Sequence, residues 1–295
     1  MTWDTKRARH ILKIVTERKA IEDNIFLIRF GTNAIFHAIQ QHMVIRISPP
    51  GIDESAEKKR YACIEYLIKK GIQCTKYATG YAPLFVEGHY VTFWHYIEPS
   101  IEKKDYLDFG AMLKNLHNQG NSYTGELCRY NKIDTIKKRL QYLEDHDIAD
   151  DNDLAFLHDR LEKLSEAYAN YRSVLGEGII HGDAHAGNII RHDKGQYLCD
   201  FDYLSIGARE WDLIPTIMGN KRFKLTDEEY TAFCEGYGYD ALKQDNIKPL
   251  IHLRELSSFC WLYQNKGMSD KVDAEIQRRL TSIKNGDETA KWKAH

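Results

Sequence analysis

His181-Gly182-Asp183-Ala184-His185-Ala186-Gly187-Asn188 is the densest polar cluster in the chain, bracketed by the apolar pairs Ile179-Ile180 and Ile189-Ile190. Asp200-Phe201-Asp202 follows twelve residues after Asn188, directly behind the strand-like run Tyr197-Leu198-Cys199. Short apolar runs on either side of a polar loop read as strands that hold the loop at their ends. Three carboxylates and one carboxamide are therefore expected at the ends of adjacent short strands. Such a set suits phosphoryl transfer, in which the protein positions a hydroxyl and fixes a cation across phosphates. In this reading Asp183 accepts the proton of the attacking hydroxyl or simply orients it. Asn188 and Asp200 offer hard oxygen ligands to Mg2+, and Asp202 is a further ligand or an outer carboxylate.

A second chemistry uses the same loop. His181-x-Asp183-x-His185 has the look of a zinc ligand set for metal-assisted hydrolysis. It lacks an evident third histidine at motif spacing and leaves Asn188 and Asp202 without a role. His181, His185 and His117 are read as loop-bracing or packing residues rather than catalysts.

Outward from the loop, the first hundred residues read as strands. Residues 24–30 and 43–47 are short runs of Ile, Leu, Phe and Val, separated by Gly31-Thr32-Asn33 and a further short segment at 34–40. Ile11, Leu12 and Val15 mark one face of a short helix before them. After the turn at Pro49-Pro50-Gly51, Asp53 or Ser55 caps a helix that runs to about Lys70 and stops at Gly71. Strand-like runs at 84–87 and 89–97 follow and end at Pro99.

Helical spacing then takes over: Tyr106, Phe109, Leu113 and Leu116 repeat at three- and four-residue intervals, as do Leu154, Leu157, Leu161, Leu164 and Tyr168. It breaks at Gly176-Glu177-Gly178, ahead of the polar loop, and helix is expected again after Asp202. Thr226-x-x-Glu229 has the form of a capping box, with Tyr230, Phe233 and Tyr237 as its apolar face.

The combination H-G-D-x-H-x-x-N and D-F-D resembles the catalytic loop and metal-binding segment of the aminoglycoside phosphotransferase and choline kinase-like families. Leu116-His117 and Trp211-Asp212-Leu213 are similar to further features of those families, whose aspartate at the latter position braces the catalytic loop. The resemblance implies an α+β, bilobal protein-kinase-like fold, with a nucleotide-covering N-lobe at 1–98. A mainly helical C-lobe at 99–295 would carry the catalytic loop and the acceptor pocket. It also implies ATP or GTP as donor with Mg2+.

In the N-lobe, Arg46 falls where these kinases carry a strand lysine or arginine facing the phosphates, and Glu57 is its expected helix partner, with Glu65 as an alternative. Gly31 and Asn33 belong to the phosphate-covering turn. Phe93-Trp94-His95-Tyr96 is most simply strand packing; the resemblance also implies that Trp94 and Tyr96 lie in the hinge that reads the adenine edge. Two departures stand out. The turn has one glycine where the family is glycine-rich, and an arginine, which binds phosphate in a bidentate way, replaces the lysine.

The acceptor implied is a small hydroxyl compound, an aminoglycoside or a similar alcohol; choline-like alcohols, homoserine, macrolides and sugars are alternatives. Glu235, Asp240 and Glu255 would suit a cationic acceptor, though surface helices carry such residues routinely. A kinase-fold nucleotide-binding protein without catalysis is the reading of another class, prompted by the poor glycine turn. Between Asp202 and the next expected helix lie only residues 203–209, leaving little platform for a peptide acceptor.

Composition narrows the rest. With 295 residues, a net charge of −2 and 43% apolar residues, the chain has no basic excess for nucleic acid. Charges interrupt every apolar pair in residues 3–20, so neither a signal sequence nor a membrane span is expected. The six cysteines show no C-x-x-C pair, which suits free thiols in the cytoplasm. The chain is expected to act as a monomer or homodimer.

Overall fold

The structure is a computed structural model that describes residues 3–22, 24–101 and 103–293. The ends of the two expected lobes, residues 1, 2, 294 and 295, lie outside the described residues.

Helix α1 (Thr5–Lys19) starts at Asp4, whose carboxylate accepts the Arg7 N–H at 2.7 Å, and buries Ala8, Ile11, Leu12 and Val15. Strands β1 (Ile25–Phe30), β2 (Ala34–Ala38) and β3 (Met43–Ile47) follow, then α2 (Glu54–Lys69), β4 (Leu84–Val86) and β5 (His89–His95). Residues 34–40, read only as a short segment, thus contain a strand. The five strands form one antiparallel sheet in the order β1-β2-β3-β5-β4. Alternation decides what each face does. Phe36, Ile45, Ile47, Val91 and Phe93 join Ile11, Leu12 and Val15 in one buried cluster. Burying each such side chain contributes about 1.5–3 kcal/mol. Asp53 caps α2 through the Ser55 and Ala56 amides, and Gly71, at φ +80°, lets the chain turn out of the helix.

Next come α3 (Tyr106–Gly120), α4 (Lys132–Asp145), α5 (Asp151–Ala169), β6 (Glu177–Ile180), β7 (Ile189–His192), β8 (Gly195–Leu198) and β9 (Ser205–Ala208). Four α-helices follow among the described residues: α6 (Ile214–Arg222), α7 (Asp227–Tyr237), α8 (Lys248–Tyr263) and α9 (Asp270–Lys284). The capping box at Thr226 and Glu229 forms in both directions. Strand β9 stands where helix was expected to resume. It pairs antiparallel with β6, and Gly207, which lacks a side chain, passes close to Ile180 and Tyr130. Four residues are too few for a periodic signal, so partner strand β6 decides their conformation.

Two compact units account for the chain. One comprises Met1–Lys104, Ser122–Cys128 and Gly187–Asp200; the other comprises Asp105–Asn121, Arg129–Ala186 and Phe201–His295. The β7–β8 hairpin thus clusters with the N-terminal sheet. Within the first unit the hairpin is held by Leu198, whose N–H donates to Gln73 O at 3.0 Å and whose O accepts from Thr75 N–H at 2.9 Å.

In the second unit α8 packs against α4, α5, α6 and α9, and α3 against α7. The α3–α7 approach depends on two glycines: a Cβ at Gly110 would run into the Phe233 carbonyl, and one at Gly236 into the Leu107 carbonyl. Gly110→Ala is expected to destabilise this unit by about 1–3 kcal/mol, because backbone cannot yield as a side chain can. A urea midpoint unchanged from that of the parent protein would refute the close-packing account. Among the described residues no helix is long and apolar enough to cross a membrane.

Candidate active site

The polar loop leaves β6 at His181. Gly182, at φ +80°, passes so near Tyr203 that any Cβ would strike its carbonyl. The loop's own amides are anchored by Asp212, which is fully buried: its carboxylate accepts from His181 N–H at 2.7 Å and Gly182 N–H at 2.8 Å. His117 Nε2 sits 2.9 Å from Asp212 Oδ2, while its Nδ1 is 2.7 Å from the Tyr237 hydroxyl. The arrangement that satisfies all three groups has Nε2–H donating to Asp212 and Nδ1 accepting from the tyrosine. Tyr130 adds a further tie, its hydroxyl donating to Gly182 O at 3.1 Å. His117 and Asp212 thus brace the loop, and buried His181 packs on Phe201 at 4.8 Å between ring centroids.

Asp183 is the loop's half-buried carboxylate. Arg254, from α8, places Nη2 at 2.6 Å from Asp183 Oδ1, and His185 Nε2 lies 3.6 Å from Oδ2. Burial pushes the Asp183 carboxyl up, but Arg254, then His185 and Lys132, outweigh it and hold the group well below the usual carboxylate range. Neither Arg254 nor Lys132 is marked by any sequence motif; α8 and α4 bring them to the loop from 71 and 51 positions away. Asp202, half-buried, follows Phe201 in the same unit, and its charge reaches the Tyr203 phenol.

Asn188 and Asp200 belong to the other unit. Ile189 pairs with Leu198, and Cys199 N–H donates to Asn188 O at 3.0 Å, so Asn188 and Asp200 share the open end of one hairpin. Asn188 is buried and Asp200 is exposed, with φ +63°, a left-handed conformation uncommon outside glycine and enriched at functional sites. Burial raises the neighbouring Cys199 thiol to about 12, with the Asp200 charge adding to the shift. A carboxamide oxygen and a carboxylate at one hairpin end are donors a hard divalent cation accepts. Among the described residues no group of three or more His, Cys, Asp or Glu is disposed to hold a metal, which gives the zinc reading no set to rest on.

On the N-terminal sheet, Arg46 pairs with Ile35 and Thr92 and points away from the face that Ile45 and Ile47 bury. Tyr77 lies where its charge is felt. Burial, then Tyr61 and Tyr90, push the Tyr77 hydroxyl up; Arg46 opposes and Glu57 adds. Arg46 and Glu57 are therefore brought to one neighbourhood, and Glu57 is ion-paired with Arg60, one turn along α2. Trp94 stacks in a run of rings, 4.2 Å from Tyr77, which is itself 3.9 Å from Tyr61. Its indole N–H bonds Thr92 Oγ1 at 2.9 Å, so strand packing describes it well. Tyr96 stacks on His37 at 3.7 Å, and its N–H donates to His42 O at 2.8 Å. His95 N–H is likewise committed, to Lys76 O. Gly31 and Asn33 form the β1–β2 turn, where the Gly31 N–H donates to Asn33 O at 3.0 Å. That amide serves the turn itself.

Two of the three acidic residues that would suit a cationic acceptor are otherwise occupied. Glu255 is buried against Arg222 at 2.5 Å and His252 at 2.9 Å, and Asp240 accepts from the Tyr230 hydroxyl at 2.6 Å. Glu235 is exposed on α7.

A family model described as "Phosphotransferase enzyme family", APH, matches residues 32–246. The chain belongs to the APH phosphotransferase family. Solved structures share the fold. An amicoumacin kinase in complex with AMP-PNP, Ca2+ and Ami aligns with a TM-score of 0.78 over 96% of each chain at 16% identity. A microcompartment-associated aminopropanol kinase gives 0.70 at 15% identity, covering 94% of this chain and 99% of its own. A choline/ethanolamine kinase family protein from Mesorhizobium loti gives 0.62 at 18%, covering 95% and 94%. No curated protein matches the chain. The α+β, protein-kinase-like class is thus established, as is membership of a family of phosphotransferase enzymes.

Proposed function

We propose that this APH-family chain transfers the γ-phosphate of ATP, or of GTP, to the hydroxyl of a small molecule, with Asp183 as the residue that meets the hydroxyl. The observation that carries the reading is Asp183 itself: a half-buried carboxylate on a loop whose amides are fixed by Asp212, held ionised by Arg254. A carboxylate so well paired is a weak base, so its main service is to orient the hydroxyl by accepting its hydrogen bond. That suits a loose transition state in which the proton leaves late. Because Asp183 remains ionised down to acid pH, it contributes no acid limb to the rate profile near neutrality.

Asn188 and Asp200 would hold Mg2+, with Asp202 as a further or outer carboxylate. A bound Mg2+ would supply charge neutralisation at the β- and γ-phosphate oxygens. Arg46, steadied by Glu57, would face the phosphates, and Gly31 and Asn33 would cover them. Around the adenine, Trp94 and Tyr96 would contribute ring surface and carbonyl oxygens, since the Tyr96 amide is already used. In this assignment residues 1–98 cover the nucleotide, and residues 99–295 carry the catalytic loop and acceptor pocket. All six cysteines are free, in keeping with a reducing cytoplasm.

The test is Mg2+-dependent consumption of ATP and GTP against aminoglycosides, choline-like alcohols, homoserine, macrolides and sugars. Turnover with one acceptor establishes the kinase. Asp200→Ala is expected to weaken Mg2+-dependent nucleotide binding about tenfold or more, the range for loss of a group supporting a metal. Equal nucleotide affinity with and without Mg2+ in both proteins would remove Asp200 from the metal site. Nucleotide binding without turnover of any acceptor would favour the binding-protein alternative.

A further inference from the structure

Lys132 is placed against three ordinary preferences at once. It is 4% exposed, yet among the described residues its ammonium makes no hydrogen bond and no ion pair. It is the first residue of α4, capped by Asn131, where the positive end of the helix dipole disfavours a cation. And the nearest charges include two more cations, Arg254 and Arg139, with Asp183 the opposing anion. What holds the ammonium is aromatic: Nζ lies 5.1 Å from the Tyr130 ring centroid and 5.5 Å from that of Tyr203. Tyr130 hydrogen-bonds Gly182, next to Asp183, and the Asp183 charge is felt at the Lys132 ammonium.

A buried, unpaired lysine is costly, and the cost is tolerated where a ligand supplies the missing charge. Arg254 spends one N–H on Asp183, and Arg139 is tied to Ser257 O and Oγ at 2.6 and 2.7 Å. Lys132 is therefore the donor left for an incoming group, with the rest of the Arg254 guanidinium beside it.

Resting on the kinase reading, we propose that Lys132 and Arg254 form an oxyanion subsite beside Asp183, and that the acceptor is an alcohol bearing a carboxylate or phosphate of its own. The acceptor's anion would engage the ammonium while its hydroxyl meets Asp183. This turns the charge expectation around: the acids once read as suiting a cationic acceptor are paired or exposed elsewhere, and the unmatched charge near Asp183 is positive.

The probe is inorganic phosphate, titrated calorimetrically into the full chain saturated with Mg2+ and AMP-PNP. Saturable phosphate binding is expected, weakened at least tenfold in Lys132→Met and in Arg254→Met. Lys132→Met should also fold and melt at a higher temperature than the parent, because it removes an unpaired buried ammonium and keeps its volume. Burial, then Arg254, lower the Lys132 pKa well below its ordinary value, so the folded state binds this proton less tightly than the unfolded chain does. The stability gained by the substitution should accordingly shrink as pH rises toward about 10.

Phosphate binding abolished by AMP-PNP would assign the cations to the transferred phosphoryl group and overturn the proposal. So would equal phosphate affinity in Lys132→Met, a lowered melting temperature for it, or a higher kcat/KM on aminoglycosides than on hydroxy acids. Phosphate binding that follows Lys132 in a protein that never turns over MgATP would instead sink the kinase reading and leave the subsite standing.

Discussion

Asp183→Ala is expected to lower kcat for phosphate transfer by roughly 10³–10⁴-fold, the range for loss of a positioned acid–base group. The KM for nucleotide should change little, since the residues assigned to the nucleotide stand on other strands. The same substitution leaves the Arg254 guanidinium without its counter-ion. Breaking a fully buried pair costs about 3–5 kcal/mol, and with side-chain exposures of 20% and 22% this pair should lose less, about 2 kcal/mol. Asp183→Asn separates the two effects. It keeps an oxygen for Arg254 and so retains more stability, but it removes the charge, and kcat should stay low. Turnover within threefold of the parent in either variant would take Asp183 out of the mechanism.

The largest expected loss of stability comes from a residue that never meets substrate. Asp212→Ala removes the acceptor for the His181 and Gly182 amides and for the His117 ring, all inside a site with no exposure. Each orphaned buried donor costs about 1–3 kcal/mol, so a total of about 3–5 kcal/mol is expected, with kcat reduced because the loop that carries Asp183 loses its anchor. Hydrogen exchange gives a local readout: the His181 and Gly182 amides should exchange far faster in the variant. Protection of both amides equal to that in the parent would show that the loop is held some other way.

Much of this was legible in the chain. The loop and its flanking isoleucines, the D-F-D segment, the helix with Phe109 and Leu116, and the capping box at Thr226 are all local patterns, in which residue type and spacing restrict the backbone directly. The sheet strands carrying Arg46 and Trp94 were readable for the same reason. Strand β9 was not, because four residues leave no period and pairing with β6 decides their shape. Nor does any spacing announce that the Tyr96 N–H donates to His42 O.

By itself, then, the sequence located most of the strands and helices, β2 and β9 apart, and the loop with Asp183, Asn188 and Asp200, since these follow from neighbours along the chain; the protein-kinase-like class came from the resemblance those motifs carry. Only tertiary structure decided which charges surround Asp183. Arg254 and Lys132 are ordinary helix residues until α8 and α4 fold against the loop. Glu255, conversely, looks available for a cation until Arg222 and His252 claim it. Burial and electrostatic partnership are properties of packing between distant segments, and hydrophobic periodicity encodes which face is buried but not which charge it meets there.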